Sequence, residues 1–283
     1  MESKKFTFKV SREETGLKLQ TFLQKKLELS GKMIKKIIDA GSCRVNGSIQ
    51  SISSYNLKGG DQLSVELKQI SSKKSLSMKI LYEDPDLYLC NKPSGLVTQI
   101  DDFQPLFNQK IFLVHRLDKE TSGIIVIAKN QKMQKMMEQL FRKREVVKTY
   151  VALVKGSVKK TEGVIENRLI KKKASLGQSI YGSTSSSEGD LAVTYWKCIK
   201  KGKNGSLLQC VPKTGRTHQI RVHLSEMGHP ILGDIQYGPH VAFPLGVNRV
   251  LLHSYKITFI HPITKKKVSV TAPIPKDFAK FVD

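Results

Sequence analysis

The sequence predicts an α+β protein in two parts, and three patterns support this prediction. In residues 1–70, apolar side chains recur at helical spacing in two short segments. From residue 78 onward, short apolar and β-branched runs bounded by turn residues predict strands. Helical spacing returns in that second part after Asn130 and around Ile220. We therefore expect a small α+β domain followed by a larger, strand-rich one.

Residues 1–70 are predicted to form the small domain. Leu19 to Leu27 and Ile34 to Ile38 give two helices, and Asn46-Gly47 is a strong signal for a hairpin turn. A further strand pattern, Asp61 to Leu67, follows Gly59-Gly60. Six cations lie on or just beyond the helices: Lys25, Lys26, Lys32, Lys35, Lys36 and Arg44. Taken singly, such side chains indicate only a solvated helix face.

A polar stretch rich in serine and lysine predicts a linker at residues 71–77, which leaves residues 78–283 as the second domain. That domain opens with strand patterns on either side of an acidic turn at residues 83–86, which predicts a hairpin. Further strands are predicted at 123–128, 147–154, 192–197 and 206–212. The segment from Lys171 to Asp190 is predicted to be an exposed connection.

The charge balance indicates a polyanionic partner. The formal net charge is +24, from 48 lysines and arginines against 24 acidic residues. Such an excess attracts polyphosphates and makes binding sensitive to salt, because counterions are released. Charge alone leaves RNA, DNA and an anionic membrane surface open. No helix-turn-helix pattern or amphipathic anchor supports the last two.

The apolar pattern and the cysteine content indicate in which cellular compartment the protein is expected. The longest apolar runs are far too short to span a bilayer, and the N-terminal residues lack an apolar core of signal-peptide length. The cysteines lie far apart and form no Cys-x-x-Cys pair, so neither a zinc site nor a disulfide framework is indicated: Cys43, Cys90, Cys198 and Cys210. We expect a reduced, cytoplasmic, monomeric protein that binds no membrane.

The stretch Val114–Lys129 contains the strongest candidate for chemistry. It places Asp118 in a short polar turn directly before a buried-looking strand. The nearby positive charge of Arg116 favours an ionised carboxylate, and such a group at a strand rim can act as a nucleophile or a base. An isolated Arg-x-Asp would more simply stabilise a turn, but this match is much longer.

These residues, read VHRLDKETSG, closely resemble the signature His-Arg-Leu-Asp-x-x-Thr-Ser-Gly of the RluA-type pseudouridine synthases, in which the aspartate is catalytic. Other stretches resemble the family's remaining motifs in the expected order: ILYEDPDLYLCNKPSG at 80–95, the Lys-x-Tyr of 148–150, THQIRVHL with GHPILGD at 217–234, and VLLHSYKITFIHP at 250–262. One departure is the segment between Pro93 and His115, which is shorter than the family leads us to expect, as if the cleft or a flap were trimmed.

The resemblance implies roles for individual residues. Asp118 would act on the ribose, and Arg221 would pair with it. Tyr150 would stack on the target base and is a candidate proton acceptor, since an extruded base needs a new stacking partner. Leu252 would line the base pocket. Arg116 and His218 complete the expected substrate-binding set.

The first domain resembles the small RNA-binding domain of ribosomal protein S-four, with Gly41 to Gly47 and Gly59 to Asp61 at matching positions. The resemblance gives the six cations a role in holding RNA. The synthase resemblance implies a mixed, mainly antiparallel central sheet with flanking helices and a catalytic cleft.

The implied function is conversion of uridine to pseudouridine in RNA, with large-subunit ribosomal RNA or a ribosome precursor as the expected partner. No cofactor is expected for a redox-neutral isomerisation. No metal is expected either, because His218, His223 and His229 have no carboxylate or cysteine at ligand spacing. Two alternatives remain open: a tRNA-directed synthase, and an RNA-binding ribosome-assembly factor on a synthase fold.

Overall fold

The computed structural model describes residues 3–39, 41–50, 52–68, 78–175, 178–202, 204–238, 247 and 249–281. The chain divides into two compact units, Met1–Leu76 and Ser77–Asp283. Each unit has its own sheet and its own apolar core. The predicted linker at 71–77 lies outside the described residues.

The first unit packs two helices against a small antiparallel sheet. Its elements are β1 (Ser3–Lys9), α1 (Leu19–Leu27), α2 (Gly31–Asp39), β2 (Cys43–Val45), β3 (Ser48–Ile49) and β4 (Gln62–Lys68). The strands of this unit lie in the order β1-β4-β2-β3 among the described residues. Phe22, Leu23 and Ile34 are buried between helices and sheet. The predicted hairpin turn is present, with Asn46 and Gly47 both at positive φ.

The second unit is built on one large sheet. Its strands are β5 (Lys79–Glu83), β6 (Leu87–Lys92), β7 (Phe112–Leu113), β8 (Ser122–Ala128), β9 (Val147–Lys155), β10 (Glu162–Ser175), β11 (Gln178–Thr184), β12 (Asp190–Lys201), β13 (Gly205–Pro212), β14 (Leu252–Ile260) and β15 (Lys267–Thr271). The helices are α3 (Ile100–Phe103), α4 (Gln131–Arg142) and α5 (Gln219–Glu226), with 3₁₀ turns at Gln104–Leu106 and Lys276–Phe281.

The strands run in the order β11-β10-β12-β13-β9-β14-β8-β6-β5, with β15 paired to β14 and β7 to β8. Among the described residues the pairs are antiparallel except β14 with β8, where His253 lies opposite Ser122. The predicted mixed, mainly antiparallel α+β fold is therefore confirmed. Gly123 has a φ of 106° and lies against the backbone of Ser254, so no side chain fits there.

Apolar packing fixes the helices on the sheet. The α4 face holds Met133 and Met137 against β8, where both side chains are fully buried. Asn130 caps this helix: its Oδ1 accepts from the Met133 amide at 2.8 Å. On α5, Ile220 and Leu224 pack into the core shared with β9, β13 and β14. Both helices are thus rigid supports for the residues at their ends.

One segment differs from the sequence prediction, and the structure of a second segment was not predicted. The stretch 171–190, predicted to be an exposed connection, forms most of the β10–β11 hairpin, which places Tyr181 beside α5. Its composition hid the strand pattern, because the stretch contains a lysine run at 171–173 and a serine-rich run at 183–187. The short segment between Pro93 and His115 folds compactly: Phe103 and Ile111 are buried against the face of β8 that bears Ile125.

Candidate active site

The second unit contains a cleft of about 620 Å³ between β9, α5 and the loop before β8. The cleft is lined by all of the site residues predicted for this unit: Arg116, Asp118, Tyr150, His218, Arg221 and Leu252. Asp118 is the only acidic residue among the described residues that line it. The structure thus brings together side chains more than a hundred residues apart in sequence around a single carboxylate.

The loop that carries Asp118 is tied to the turn that follows β6. Thr98 Oγ1 donates to the Leu117 carbonyl at 2.8 Å and accepts from the Leu117 amide at 3.2 Å. The Gly95 amide donates to the Lys119 carbonyl at 2.8 Å. Residues on both sides of Asp118 are therefore fixed by hydrogen bonds, which limits the motion of its carboxylate.

Lys92 is the centre of this attachment. Its side chain is fully buried, and Nζ donates to the carbonyls of Pro93, Leu96 and Lys119 at 3.0, 2.9 and 3.1 Å. Burial lowers the pKa of Lys92 to about 8, an effect that the charges of Glu120 and Asp118 partly oppose. A buried lysine bound to three carbonyls connects the end of β6, the turn and the Asp118 loop.

Arg221 has a different principal partner from the one the resemblance implied. Its Nε and Nη2 bind the Asp234 carboxylate at 2.7 and 2.9 Å, and Nη2 also donates to Gln236 Oε1 at 2.9 Å. Its Nη1 lies 3.7 Å from Asp118 Oδ2, an ion-pair distance beyond hydrogen bonding. The expected pair with Asp118 is present only as this longer contact, because the guanidinium forms a bidentate ion pair with Asp234.

His218 lies on the other side of the Asp118 carboxylate. It sits just before α5 with a φ of 56°, and its Nδ1 is 2.8 Å from the Tyr237 hydroxyl. Its Nε2 lies 3.9 Å from Asp118 Oδ1. Burial lowers the pKa of His218, although Asp118 opposes the shift. A neutral imidazole at neutral pH suits a role in positioning substrate.

Tyr150 and Leu252 form the apolar part of the cleft. Tyr150 lies on β9 opposite Cys210 of β13, and Leu252 is buried at the start of β14. Burial raises the pKa of the Tyr150 hydroxyl, and the charge of Asp118 adds to the effect. The hydroxyl keeps its proton at neutral pH. It is therefore better suited to donate a hydrogen bond to a bound nucleobase than to accept a proton.

The neighbouring residues His115 and Arg116 differ in their exposure to solvent and in their contacts. His115 stacks on Phe141 with ring centroids 4.6 Å apart, and its Nε2 accepts from the Val126 amide at 2.9 Å. Burial lowers the pKa of His115 to about 3, so it is a neutral structural group. Arg116 is exposed at the rim of the cleft. It faces solvent and is free to meet a ligand.

Sequence reasoning missed several residues around Arg221. Asp234 is 1% exposed, and its Oδ1 also accepts from the amides of Gln236 and Tyr237. The guanidinium of Arg221 lies over the ring face of Tyr237, with its central carbon 4.9 Å from the ring centroid. Tyr181 contacts His218 edge-on. The available signal for Asp234 was its place at the end of the motif GHPILGD, which the resemblance had already singled out.

Comparisons with known proteins agree with this geometry. The sequence pattern of the family described as RNA pseudouridylate synthase matches residues 86–226, which include Asp118, Tyr150 and Arg221. The ribosomal large subunit pseudouridine synthase C of Buchnera aphidicola subsp. Schizaphis graminum is 35% identical, over 94% of this chain and 93% of that protein. The protein of the same name from Haemophilus ducreyi is 33% identical, over 94% and 91%.

This chain belongs to the RNA pseudouridylate synthase family. A solved structure agrees: human RNA pseudouridylate synthase domain containing 4 is 27% identical, with a TM-score of 0.60 over 71% of this chain and 90% of that one. The chain is thus an isomerase of the pseudouridine synthase class that acts on RNA. Among the described residues, no helix of the synthase is long and apolar enough to cross a membrane.

One group of side chains in this synthase consists of residue types that commonly bind metal ions. Asp84, Asp86 and His261 lie close enough to share an ion. His261 Nδ1, however, accepts from the amides of Ile263 and Thr264 at 3.2 and 3.1 Å. Because Nδ1 accepts these bonds, the ring carries its proton on Nε2, the atom that faces Asp84 Oδ2 at 3.3 Å. With no lone pair directed at the acids, the group stabilises the β5–β6 turn and does not fit a metal.

The cations predicted in the first unit are not equivalent. Lys25, Lys35 and Arg44 are exposed, and Arg44 Nη1 donates to the Gly47 carbonyl. Lys26 binds Glu14 at 2.9 Å, and this contact lowers the pKa of Glu14 to about 2. Lys26 therefore has a carboxylate partner, which lies twelve residues upstream in the sequence. The side chains of Lys32 and Lys36 lie outside the described residues.

Proposed function

We propose that this synthase converts specific uridines of large-subunit ribosomal RNA to pseudouridine, with Asp118 as its catalytic residue. The observation that supports this most directly is the setting of Asp118, a lone carboxylate in a cationic cleft between Arg221 and His218. The names of the relatives from Buchnera and Haemophilus support the choice of large-subunit RNA.

The chemistry fits the residues in place. The isomerisation exchanges an N-glycosidic bond for a bond to C5 of the uracil, and the C5 proton is released. Asp118 either attacks the ribose or removes a proton from it as the N-glycosidic bond breaks; both need an ionised carboxylate held in place. Arg221 orients that carboxylate, while Tyr150 and Leu252 provide a stacking face and an apolar wall for the freed base.

A pure RNA-binding assembly role is less well supported. Binding alone does not require a carboxylate inside a cationic cleft, where it repels phosphate, nor a loop anchored by Lys92 next to that carboxylate. A tRNA substrate is compatible with the cleft itself. The names of the relatives favour ribosomal RNA.

For the first unit we propose an S-four-like RNA-binding role. Two short helices packed on a small antiparallel sheet, with Lys25 and Lys35 exposed on them, support this role. The unit would hold the large RNA substrate through its phosphates while the second unit performs the chemistry.

Pseudouridine mapping in total RNA tests the function. RNA from cells with and without the gene is compared, and the gene is then restored as wild type or as Asp118→Asn, which keeps the side-chain size but removes the charge. We expect at least one large-subunit site to disappear on deletion and to return only with the wild-type protein. Loss of tRNA sites alone would contradict the substrate, and rescue by a well-expressed Asp118→Asn protein would contradict the catalytic role.

A further inference from the structure

The cleft has a pronounced excess of positive charge. Besides Arg221, six basic residues line the cleft: Arg116, Arg142, Arg144, Lys148, Lys213 and Arg216. Two of these have neighbours that engage them. Arg216 binds Asp190 at 3.3 Å and the Leu191 carbonyl at 3.1 Å, while Lys213 lies over the ring of Tyr195.

The other four make no side-chain hydrogen bond or ion pair with any part of the chain that the structure describes. Lys148 is the most informative of them because it is only partly exposed. It lies two residues before Tyr150 on β9, so the two side chains share one face of the strand. A partly buried ammonium without a counter-ion is costly in the free protein, and an anionic ligand would remove that cost.

Arg144 adds an independent observation. It follows the end of α4 with a φ of 60°, the left-handed conformation that glycine usually supplies at this place in a helix terminus. An arginine there is conformationally unfavourable, yet the position directs a cation to the mouth of the cleft next to Arg142. Lys143, between them, does not line the cleft.

We propose that Lys148, Arg142 and Arg144 form a phosphate-binding subsite that holds the RNA backbone at the target nucleotide. The inference rests on the proposed function and names the part of the substrate that this wall recognises. The phosphodiester stays among the three cations, and the base extends past Lys148 toward Tyr150 and Leu252. Asp118 then faces the sugar, away from the phosphate that it would repel.

Salt dependence of activity and binding tests the subsite. Initial rates of tritium release from large-subunit RNA labelled at uridine C5 give kcat/KM at several salt concentrations, and filter binding of the same RNA gives affinities. For Lys148→Met we expect kcat/KM to fall by about tenfold through KM, and the log–log salt slope of binding to fall by about one. Lys148→Arg should restore the slope.

Lys143→Met is the matched control, since it removes a cation from the same helix end without touching the cleft. The double variant Arg142→Gln/Arg144→Gln alters only exposed side chains, so it reports on the subsite even if Lys148→Met does not fold. Wild-type slopes and wild-type KM in the double variant would overturn the subsite. If wild type binds this RNA but releases no tritium, the proposed function fails, and the binding slopes of the variants still decide the subsite separately.

Discussion

Arg221 binds Asp234 more closely than it approaches Asp118. Two of its nitrogens lie 2.7 and 2.9 Å from the Asp234 oxygens, whereas its third lies 3.7 Å from Asp118 Oδ2. Asp234 thus fixes the guanidinium, and the nitrogen that remains faces the Asp118 carboxylate. With Asp118 as the proposed catalytic residue, Asp234 is a positioning residue that acts through Arg221.

Replacing Asp234 by asparagine should harm both stability and turnover. The buried guanidinium loses its counter-ion, a change that costs about 3–5 kcal/mol of unfolding free energy when one partner of a buried pair is removed. Arg221 is then free to move onto Asp118, so kcat should fall with little change in KM. Denaturant melts and single-turnover rates measure the two effects. Asp190→Asn, at the exposed pair with Arg216, is the control and should cost less than about 1 kcal/mol.

Variants of Tyr150 should separate stacking from proton transfer. Tyr150→Phe keeps the ring, so RNA affinity should be unchanged, and loss of one hydrogen bond should lower turnover by about tenfold at most. Tyr150→Ala removes the ring and should weaken binding by about 1–3 kcal/mol. Tritium release and filter binding provide the readouts. Complete inactivity of a folded phenylalanine variant would instead show that the hydroxyl is essential for the reaction.

Lys92 should make stability depend on pH in the alkaline range. Because its pKa is about 8 in the folded protein and about 10.5 in the unfolded chain, the cost of burying its charge is fully present below pH 8. As pH rises from 8 to 10.5 the native state loses the proton first. The free energy of unfolding of wild type, relative to Lys92→Met, should therefore increase across this window.

The same variant should also be less active at neutral pH, since three carbonyls lose their donor and the Asp118 loop loosens. Denaturation at a series of pH values, together with tritium release at pH 7, measures both effects. Lys79→Met, which removes an exposed lysine from the neighbouring strand, is the control. A flat difference between wild type and Lys92→Met from pH 8 to 10.5 would contradict the lowered pKa.

The first unit should contribute to RNA affinity through its unpaired lysines. Lys25→Gln combined with Lys35→Gln should reduce the log–log salt slope of binding by about two, because each phosphate contact contributes about one. Lys26→Gln is the matched control: its charge is already compensated by Glu14, so the slope should change less. Equal slopes for wild type and the double variant would show that these lysines only face solvent.

The sequence predicted the local parts of the site well and the long-range contacts poorly. Asp118, Tyr150, His218, Arg221 and Leu252 were found because each stands in a motif with a recognisable neighbourhood. The mainly antiparallel fold was likewise predicted and confirmed. Local patterns specify what each segment forms, and family motifs specify which segments meet.

The partners that were missed depend on the fold itself. Whether Arg221 turns toward Asp118 or Asp234 is decided by a few ångströms, which no spacing rule resolves. Glu14 and Lys26 meet only because the chain before α1 returns alongside that helix. Tyr181 was hidden in a polar segment whose strand character comes from pairing with β10. Each of these follows from tertiary packing that overrides local composition.

The position of β14 has a consequence for how this enzyme is made. It lies between β9 and β8, although the chain completes both of those strands, and β10 to β13, well before it reaches β14. During synthesis the sheet therefore exists as two halves, each with an open edge that invites aberrant pairing. Leu252, and the Ser254 backbone that lies against Gly123, join the sheet only when β14 is inserted between β9 and β8. A chain released before β14 is made contains Asp118, Tyr150 and Arg221. It has no continuous sheet to hold them together, so catalysis begins only when this late strand is inserted.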